Sequence, residues 1–307
     1  MDVIAEICQN HNGSRSNLFE MAKLAKSGGA SYAKIQALYS TELVYRTQFE
    51  NSNISRFEMY RPFKMELERL RKLDLSLEDE KSFVKYCLDI DIQPMITVFT
   101  KSGVERAFKA GFKKIKIASY DSTNIELITS VMEFATDLFI STGATTVNEV
   151  KFLCSFLNRS NPKCNVSLLH CKTEYPNNLS SVNLKRMLWL SQFGFKTGFS
   201  DHTATFNNDG TRINLRNLPS KVAIYLGATI LERHFTNLNP NETKDGKISI
   251  LKDDLVDLKN FSNLSKLQQS EYLQEYSKEM NLILGSENYE PSVEEWFNRS
   301  YYQGRVK

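Results

Sequence analysis

Short apolar runs rich in Val, Ile and Phe recur along the chain, each followed by a stretch whose apolar residues fall at helical spacing. That alternation predicts parallel strands joined by right-handed crossover helices. Eight strand candidates stand out: Val3 to Cys8, Tyr32 to Ala37, Gln93 to Phe99, Lys114 to Ala118, Asp137 to Ser141, Asn165 to His170, Phe195 to Ser200 and Ala228 to His234. Several are apolar at consecutive positions, as expected of strands covered by helices outside and filled by side chains inside. The predicted fold class is therefore α/β, a TIM (β/α)8 barrel.

The helical stretches carry start signals. Ser76 followed three residues later by Asp79 can satisfy two orphan backbone donors reciprocally. Two connections are long. Tyr39 to Asp74 is rich in Phe, Tyr and Arg and predicts a packed excursion over the barrel rim, whereas Ala204 to Ser220 contains Asn207-Asn208-Asp209-Gly210, a run suited to a loop tip. Helical spacing persists from Leu251 to Leu284, and Gly285 and Pro291 then interrupt it. Residues 1–284 are thus expected to form the barrel and residues 285–307 a short C-terminal tail. No repeat of 20 to 50 residues is apparent.

At 307 residues the chain exceeds the common domain size, but a barrel of this kind needs about 250 residues as one unit. The net charge of +3 is the small difference between 39 basic and 36 acidic side chains, and no run of Lys and Arg concentrates it. Nucleic acid and membranes are accordingly not expected as partners. Five cysteines (Cys8, Cys87, Cys154, Cys164, Cys171) are scattered, without a C-x-x-C pair, which argues against a disulfide framework or a structural zinc site. With Met1-Asp2 running straight into a strand and no long apolar run, a cytoplasmic protein is expected.

Active sites of such barrels lie at the carboxyl ends of the strands, so polar residues there carry the candidate chemistry. In chain order they are Glu6, then Lys34 and Gln36, Thr97, Lys116 with Ser119 and Asp121, Ser141, His170 with Thr173 and Tyr175, Ser200 with His202, and Glu232 with His234. Two lysines and several hydroxyls at one mouth suit the oxygens of a phosphate, although each lysine could instead pair with a neighbouring carboxylate. All four histidines (His11, His170, His202, His234) fall at or just beyond strand ends. A lone histidine there is more often a hydrogen-bonded structural residue, but His202 and His234 end consecutive strands and could share one metal ion. Ser141-Thr142-Gly143 alone would pass for a helix cap, and Glu232-Arg233 for a surface ion pair.

These motifs, taken in order, resemble the sialic acid synthase family. The resemblance rests on Ala5-Glu6-Ile7-Cys8-Gln9-Asn10-His11-Asn12-Gly13-Ser14, Ala33-Lys34-Ile35-Gln36, Ile115-Lys116-Ile117-Ala118-Ser119, Leu168-Leu169-His170-Cys171, Gly198-Phe199-Ser200-Asp201-His202-Thr203 and Leu231-Glu232-Arg233-His234-Phe235-Thr236, spanning about residues 3 to 250. It implies condensation of phosphoenolpyruvate with an N-acetylmannosamine-like amino sugar and water, giving a nonulosonic acid and phosphate. By the same resemblance Lys34, Thr97, Lys116, Ser119, Ser141, Thr173 and Ser200 would surround phosphoenolpyruvate, and Gln36, Tyr175, Glu232 and Asp245 would face the sugar. Glu6, Glu232 and Lys116 would be catalytic. His202 and His234 would hold a divalent ion, Mn²⁺ first, with Mg²⁺ or Co²⁺ as alternatives. A homodimer is compatible with the family.

Family members commonly continue into a small antifreeze-like domain that places an arginine over the partner's sugar. Gly285, Pro291, Glu294, Arg299 and Ser300 resemble the linker before it, so the expectation is a catalytic barrel without that domain. Arg212 and Arg216, in the long connection after the seventh strand, are then candidates to replace the arginine. Two other readings remain open: the same reaction on a pseudaminic or legionaminic type of acceptor or on a phosphorylated sugar, and a catalytically silent barrel that binds a sugar or a partner.

Overall fold

The computed structural model describes residues 1–50, 60–286 and 289–307. Eight parallel strands close into a barrel in sequential order: β1 (Asp2–Cys8), β2 (Tyr32–Gln36), β3 (Gln93–Val98), β4 (Lys114–Ile117), β5 (Asp137–Ser141), β6 (Asn165–Cys171), β7 (Lys196–Asp201) and β8 (Ile230–His234). The expected TIM barrel is thus the fold. Boundaries shift by a residue or two; β8 begins at Ile230 rather than Ala228 because the Ala228 N–H still bonds back to the Ala223 carbonyl at 2.9 Å.

Between and after the strands lie α1 (Arg15–Ser27), α2 (Phe63–Arg71), α3 (Leu77–Asp89), α4 (Lys101–Ala110), α5 (Ile125–Met132), α6 (Val147–Ser160), α7 (Lys185–Leu190), α8 (Leu218–Tyr225), α9 (Lys252–Asn263), α10 (Lys266–Gln274), α11 (Ser277–Leu284) and α12 (Val293–Tyr302). Helix α3 starts on the reciprocal Ser76–Asp79 cap. None of the described helices is long and apolar enough to cross a membrane.

Because side chains alternate along a strand, each strand sends one set of residues inside and the other out. Outward residues such as Val3, Ala5, Ile35, Ile96, Ile117, Ile140, Phe199 and Leu231 join the helices in the main apolar core. Inward, Ile4, Met95, Phe139, Leu169 and Ile230 form a small separate layer that plugs the barrel. The next inward position on the same strands is Glu6, Thr97, Ser141, Cys171 and Glu232, and polar residues therefore stand directly above the plug, at the carboxyl end.

The connection after β2 packs over the rim as expected, with the Tyr39 hydroxyl on Glu80 at 2.6 Å; its residues 51–59 lie outside the described set. Beyond residue 284 the chain is more than a tail. Pro291 precedes α12, whose N-terminus is closed by a reciprocal Ser292–Glu295 cap. The buried Glu295 also accepts the backbone N–H groups of Ala144 (3.2 Å) and Thr173 (3.1 Å) and the Lys172 ammonium (2.5 Å), which fixes α12 across the ends of β5 and β6. Arg299 pairs with Glu149 at 2.6 Å.

Candidate active site

The polar layer opens into a cavity of about 550 Å³ at the carboxyl end of the barrel. Glu232 is the centre of its floor. Lys116 Nζ donates to both carboxylate oxygens, at 2.9 and 3.0 Å, Ser200 Oγ donates to Oε1 at 2.7 Å, and Lys34 Nζ stands 3.5 Å from Oε2. Lys34 also contacts Glu6 and donates to Thr97 Oγ1 at 2.9 Å. Strand register dictates this grouping, since Glu6 lies level with Lys34, Thr97 with Lys116, and Ser200 with Glu232.

Both lysines are thus paired with carboxylates, as a purely structural role would also require. Lining residues balance in charge: Lys34, Arg61, Lys116, Lys244 and Arg305 face Glu6, Asp121, Glu232, Asp245 and Glu294. Affinity for an anion would therefore come from the position of the lysines rather than from excess charge. Burial would raise the Glu232 carboxyl, but Lys116 and Lys34 hold it well below the usual carboxylate range. Asp121, which forms no ion pair among the described residues, shows the opposite outcome: burial pushes it up to about 7 against the opposing charge of Arg305.

Two hydroxyls are set for an incoming oxygen. Ser141 Oγ is buried at the cavity wall with no hydrogen-bond partner among the described residues. Ser119 Oγ accepts from the Gly143 N–H at 3.0 Å, a close approach that a side chain at 143 would obstruct, because its Cβ would meet Thr173 Cγ2 at 2.7 Å. Gln36, Thr97, Ser200, Tyr175 and Asp245 also line the cavity.

The His202 and His234 rings lie 5.2 Å apart, and both line the cavity. His202 Nδ1 is held by the Lys172 carbonyl at 2.9 Å, which fixes the ring and leaves Nε2 as its available donor atom. His234 Nδ1 is buried with no hydrogen bond among the described residues, and lies 3.6 Å from Asp245 Oδ2. Burial pushes His234 down to about 3 and lowers His202 as well, so both rings stay neutral, the form that binds metal, well below the ordinary imidazole value. An orphaned neutral nitrogen beside a second tethered imidazole fits a divalent ion. His170 does not contribute, because its Nε2 is engaged by the Val182 carbonyl at 2.7 Å.

Several sequence expectations change. Thr173 lies outside the cavity lining; its N–H and hydroxyl both bond to Glu295, at 3.1 and 3.2 Å. Glu232-Arg233 is no surface pair, since both residues are buried and point to opposite sides of the barrel wall. Arg212 and Arg216 do not reach the mouth: each bonds to the buried Asp254, at 2.6 Å. Arg61 and Arg305 are the arginines that line the cavity. Sequence reasoning also missed Glu294, Asn298 and Tyr302 of α12, although Ser292-Val293-Glu294-Glu295 carries the same type of cap signal as the start of α3. Cys8, two positions beyond Glu6 on β1, also lines the cavity, although in the sequence it is only one of five scattered cysteines.

The fold and the sequence have counterparts in known proteins. Among solved structures, that of N-acetylneuraminic acid (sialic acid) synthetase from Leptospira borgpetersenii superposes with a TM-score of 0.69, covering 98% of this chain and 91% of that one at 21% identity. N,N'-diacetyllegionaminic acid synthase of Campylobacter jejuni is 28% identical over 76% of this chain and 67% of its own length. Pseudaminic acid synthase of Helicobacter pylori is 25% identical over 81% and 69%. The chain spans 63% to 69% of the length of legionaminic and pseudaminic acid synthases it matches. The model of the NeuB family matches residues 21–276, most of the barrel together with the strands that bear the lysines, the histidines and Glu232, and the chain therefore belongs to the NeuB family.

Proposed function

We propose that the protein is a nonulosonic acid synthase that condenses phosphoenolpyruvate with an open-chain amino sugar and water and releases phosphate. The observation that carries this reading is the convergence of Lys34 and Lys116 on Glu232 at a cavity floor, beneath the His202–His234 pair. In this reading Lys34, Thr97, Lys116, Ser119, Ser141 and Ser200 bind phosphoenolpyruvate, and Gln36, Tyr175 and Asp245 face the sugar. Thr173 is reassigned as a support for α12. His202 and His234 hold a divalent ion, Mn²⁺ in the family reading, which when bound supplies Lewis-acid polarisation of a carbonyl oxygen.

Carbon 3 of phosphoenolpyruvate attacks the sugar's aldehyde carbon, and positive charge builds at carbon 2. Water adds there, its proton is lost, and the tetrahedral centre expels phosphate as the carbon 2 carbonyl forms. A carboxylate held far below its usual pKa is a weak base, so Glu232 acts through its charge, stabilising the cation at carbon 2 while positioning Lys116. Glu6 is the remaining inner carboxyl for proton transfer to or from the sugar.

The test is phosphate release from phosphoenolpyruvate with Mn²⁺ and a panel containing N-acetylmannosamine, its 6-phosphate and a doubly amidated sugar of the legionaminic or pseudaminic type. Release with one acceptor class, and an acid product longer by three carbons, is expected. No release with any of them would overturn the reading in favour of a binding barrel.

A further inference from the structure

Cys8 closes β1 in a backbone state that argues for a role beyond packing. Its φ is +50°, in the left-handed region that glycine fills without cost, and the register with β2 slips between Glu6 and Cys8. The thiol is buried, and its sulfur, one His234 ring nitrogen and one Asp245 carboxylate oxygen all lie within 4.8 Å of one another. His234 Nδ1, 3.6 Å from Asp245 Oδ2, has no hydrogen-bond partner among the described residues, so a buried donor atom without a partner faces this group.

We propose that Cys8 is a metal ligand: its thiolate, with His234 and Asp245, forms a Cys–His–Asp set that selects a thiophilic divalent ion of the Zn²⁺, Fe²⁺ or Co²⁺ type over Mg²⁺ and Mn²⁺. This deepens the functional reading by replacing its metal preference. Thiolate and imidazole are the softer donors and favour the later metals, whereas Mg²⁺ takes an oxygen shell. The atoms need to close in by little, since ligands of a tetrahedral Zn²⁺ at about 2.0–2.3 Å stand about 3.3–3.8 Å from one another. His202, with its ring 5.2 Å from that of His234, is the neighbouring imidazole. The strain at residue 8 is then the means by which the end of β1 turns a sulfur toward the ion.

The test is Co²⁺ and Zn²⁺ binding to the whole purified chain and to C8G. Glycine is suited to the φ of +50°, so this variant removes the sulfur without straining the backbone, and circular dichroism checks that it folds. The parent with Co²⁺ is expected to show a thiolate-to-cobalt charge-transfer absorption that C8G lacks. Zn²⁺ affinity should fall by roughly 100-fold or more in C8G, since even a change beside a ligand costs 10–100-fold. Bound Co²⁺ without that absorption in the parent, or unchanged Zn²⁺ affinity in folded C8G, would overturn the assignment. The readout needs no turnover. A sulfur-bound metal in a protein that never releases phosphate sinks the synthase reading alone, and phosphate release without sulfur ligation sinks this one alone.

Discussion

Strands β7 and β8 carry two buried ion clusters on adjacent residues, one on each side of the barrel wall. Inside, Ser200 and Glu232 meet Lys116 and Lys34. Outside, Asp201 and Arg233 pair at 2.5 Å, both side chains being fully buried. The outer cluster is nearly saturated. Asp201 also accepts from Ser220 Oγ at 2.5 Å and from the Thr203 N–H at 2.9 Å, while Arg233 donates to Thr205 Oγ1 at 3.0 Å and the Arg216 carbonyl at 3.1 Å. The inner cluster borders a cavity and an unpartnered Ser141 hydroxyl. Buried charge therefore does not mark a site; buried charge with unused bonding capacity beside open space does.

The largest effect expected from separating the two is on turnover. K116M removes the ammonium from the inner cluster and leaves Glu232 with Ser200 and Lys34, so the fold is retained. Phosphate release should fall by about 10⁴-fold, or ~5.5 kcal/mol of barrier, within the range for removing a cation from a transferring phosphoryl group. Turnover near the parent's in a folded K116M protein would erase the functional side of the comparison.

R233M should do the reverse. It strands Asp201 as a buried charge without its cation, which costs about 3–5 kcal/mol in unfolding free energy. Turnover of the fraction still folded should stay within about tenfold of the parent. Chemical denaturation and active-site titration measure the two quantities, and a stable but inactive R233M protein would move Arg233 into the site.

Asp121 sharpens the contrast, because among the described residues it is a buried carboxyl that forms no ion pair, and the charge of Arg305 does not offset its burial. Its folded value near 7 lies above the unfolded value of 3.8, so the unfolded state binds fewer protons than the folded state between these limits. Stability contributed by the protonated form is complete below pH 3.8 and is lost as pH rises through about 7. D121N should therefore be more stable than the parent at pH 8, by roughly 2–4 kcal/mol, and the difference should vanish toward pH 4. Thermal melting across that range checks it, and a pH-independent difference would show that the carboxyl does not titrate there.

Much of this was legible in the sequence because a barrel converts chain order into space. A residue at the end of a predicted strand lies at the mouth, so Lys34, Lys116, Ser200, His202, Glu232 and His234 could be grouped before any contact was known. Alternation within a strand could also have separated Glu232 from Arg233, because neighbours face opposite sides. Partners brought together by loops were not legible. Arg212 and Arg216 sit near the mouth in sequence, yet they bond to Asp254, 42 and 38 residues away on α9. The resemblance implies Thr173 as a phosphoenolpyruvate contact, but its bonding is decided by Glu295, 122 residues later. That helix is legible in principle, since Ser292 and Glu295 carry the cap spacing and Pro291, just before the cap, is as compatible with a helix start as with a break. The Cys8 thiol depends on a local slip in register and a positive φ, neither of which a strand pattern reports.

The smallest expected effects come from two serines, one in the outer cluster and one beside the inner. Ser220 Oγ donates to the Asp201 carboxylate, and S220A should cost about 1.5–3 kcal/mol of stability, the usual worth of a hydrogen bond to a charged group, with no change in KM for phosphoenolpyruvate. Ser141 Oγ is different: among the described residues it bonds to nothing, so S141A removes a buried, unsatisfied hydroxyl and should leave stability unchanged or slightly raised. If that hydroxyl is reserved for a phosphate or carboxylate oxygen of the substrate, its loss appears only on binding. The expected result is a rise in KM for phosphoenolpyruvate of about 5- to 10-fold, equivalent to ~1–1.4 kcal/mol, with the sugar's KM unaffected. Steady-state kinetics and denaturant melts on both variants measure these quantities. An S141A protein that loses stability but keeps its KM would mean that Ser141 has a partner inside the protein, and the inner cluster would then be as closed as the outer one.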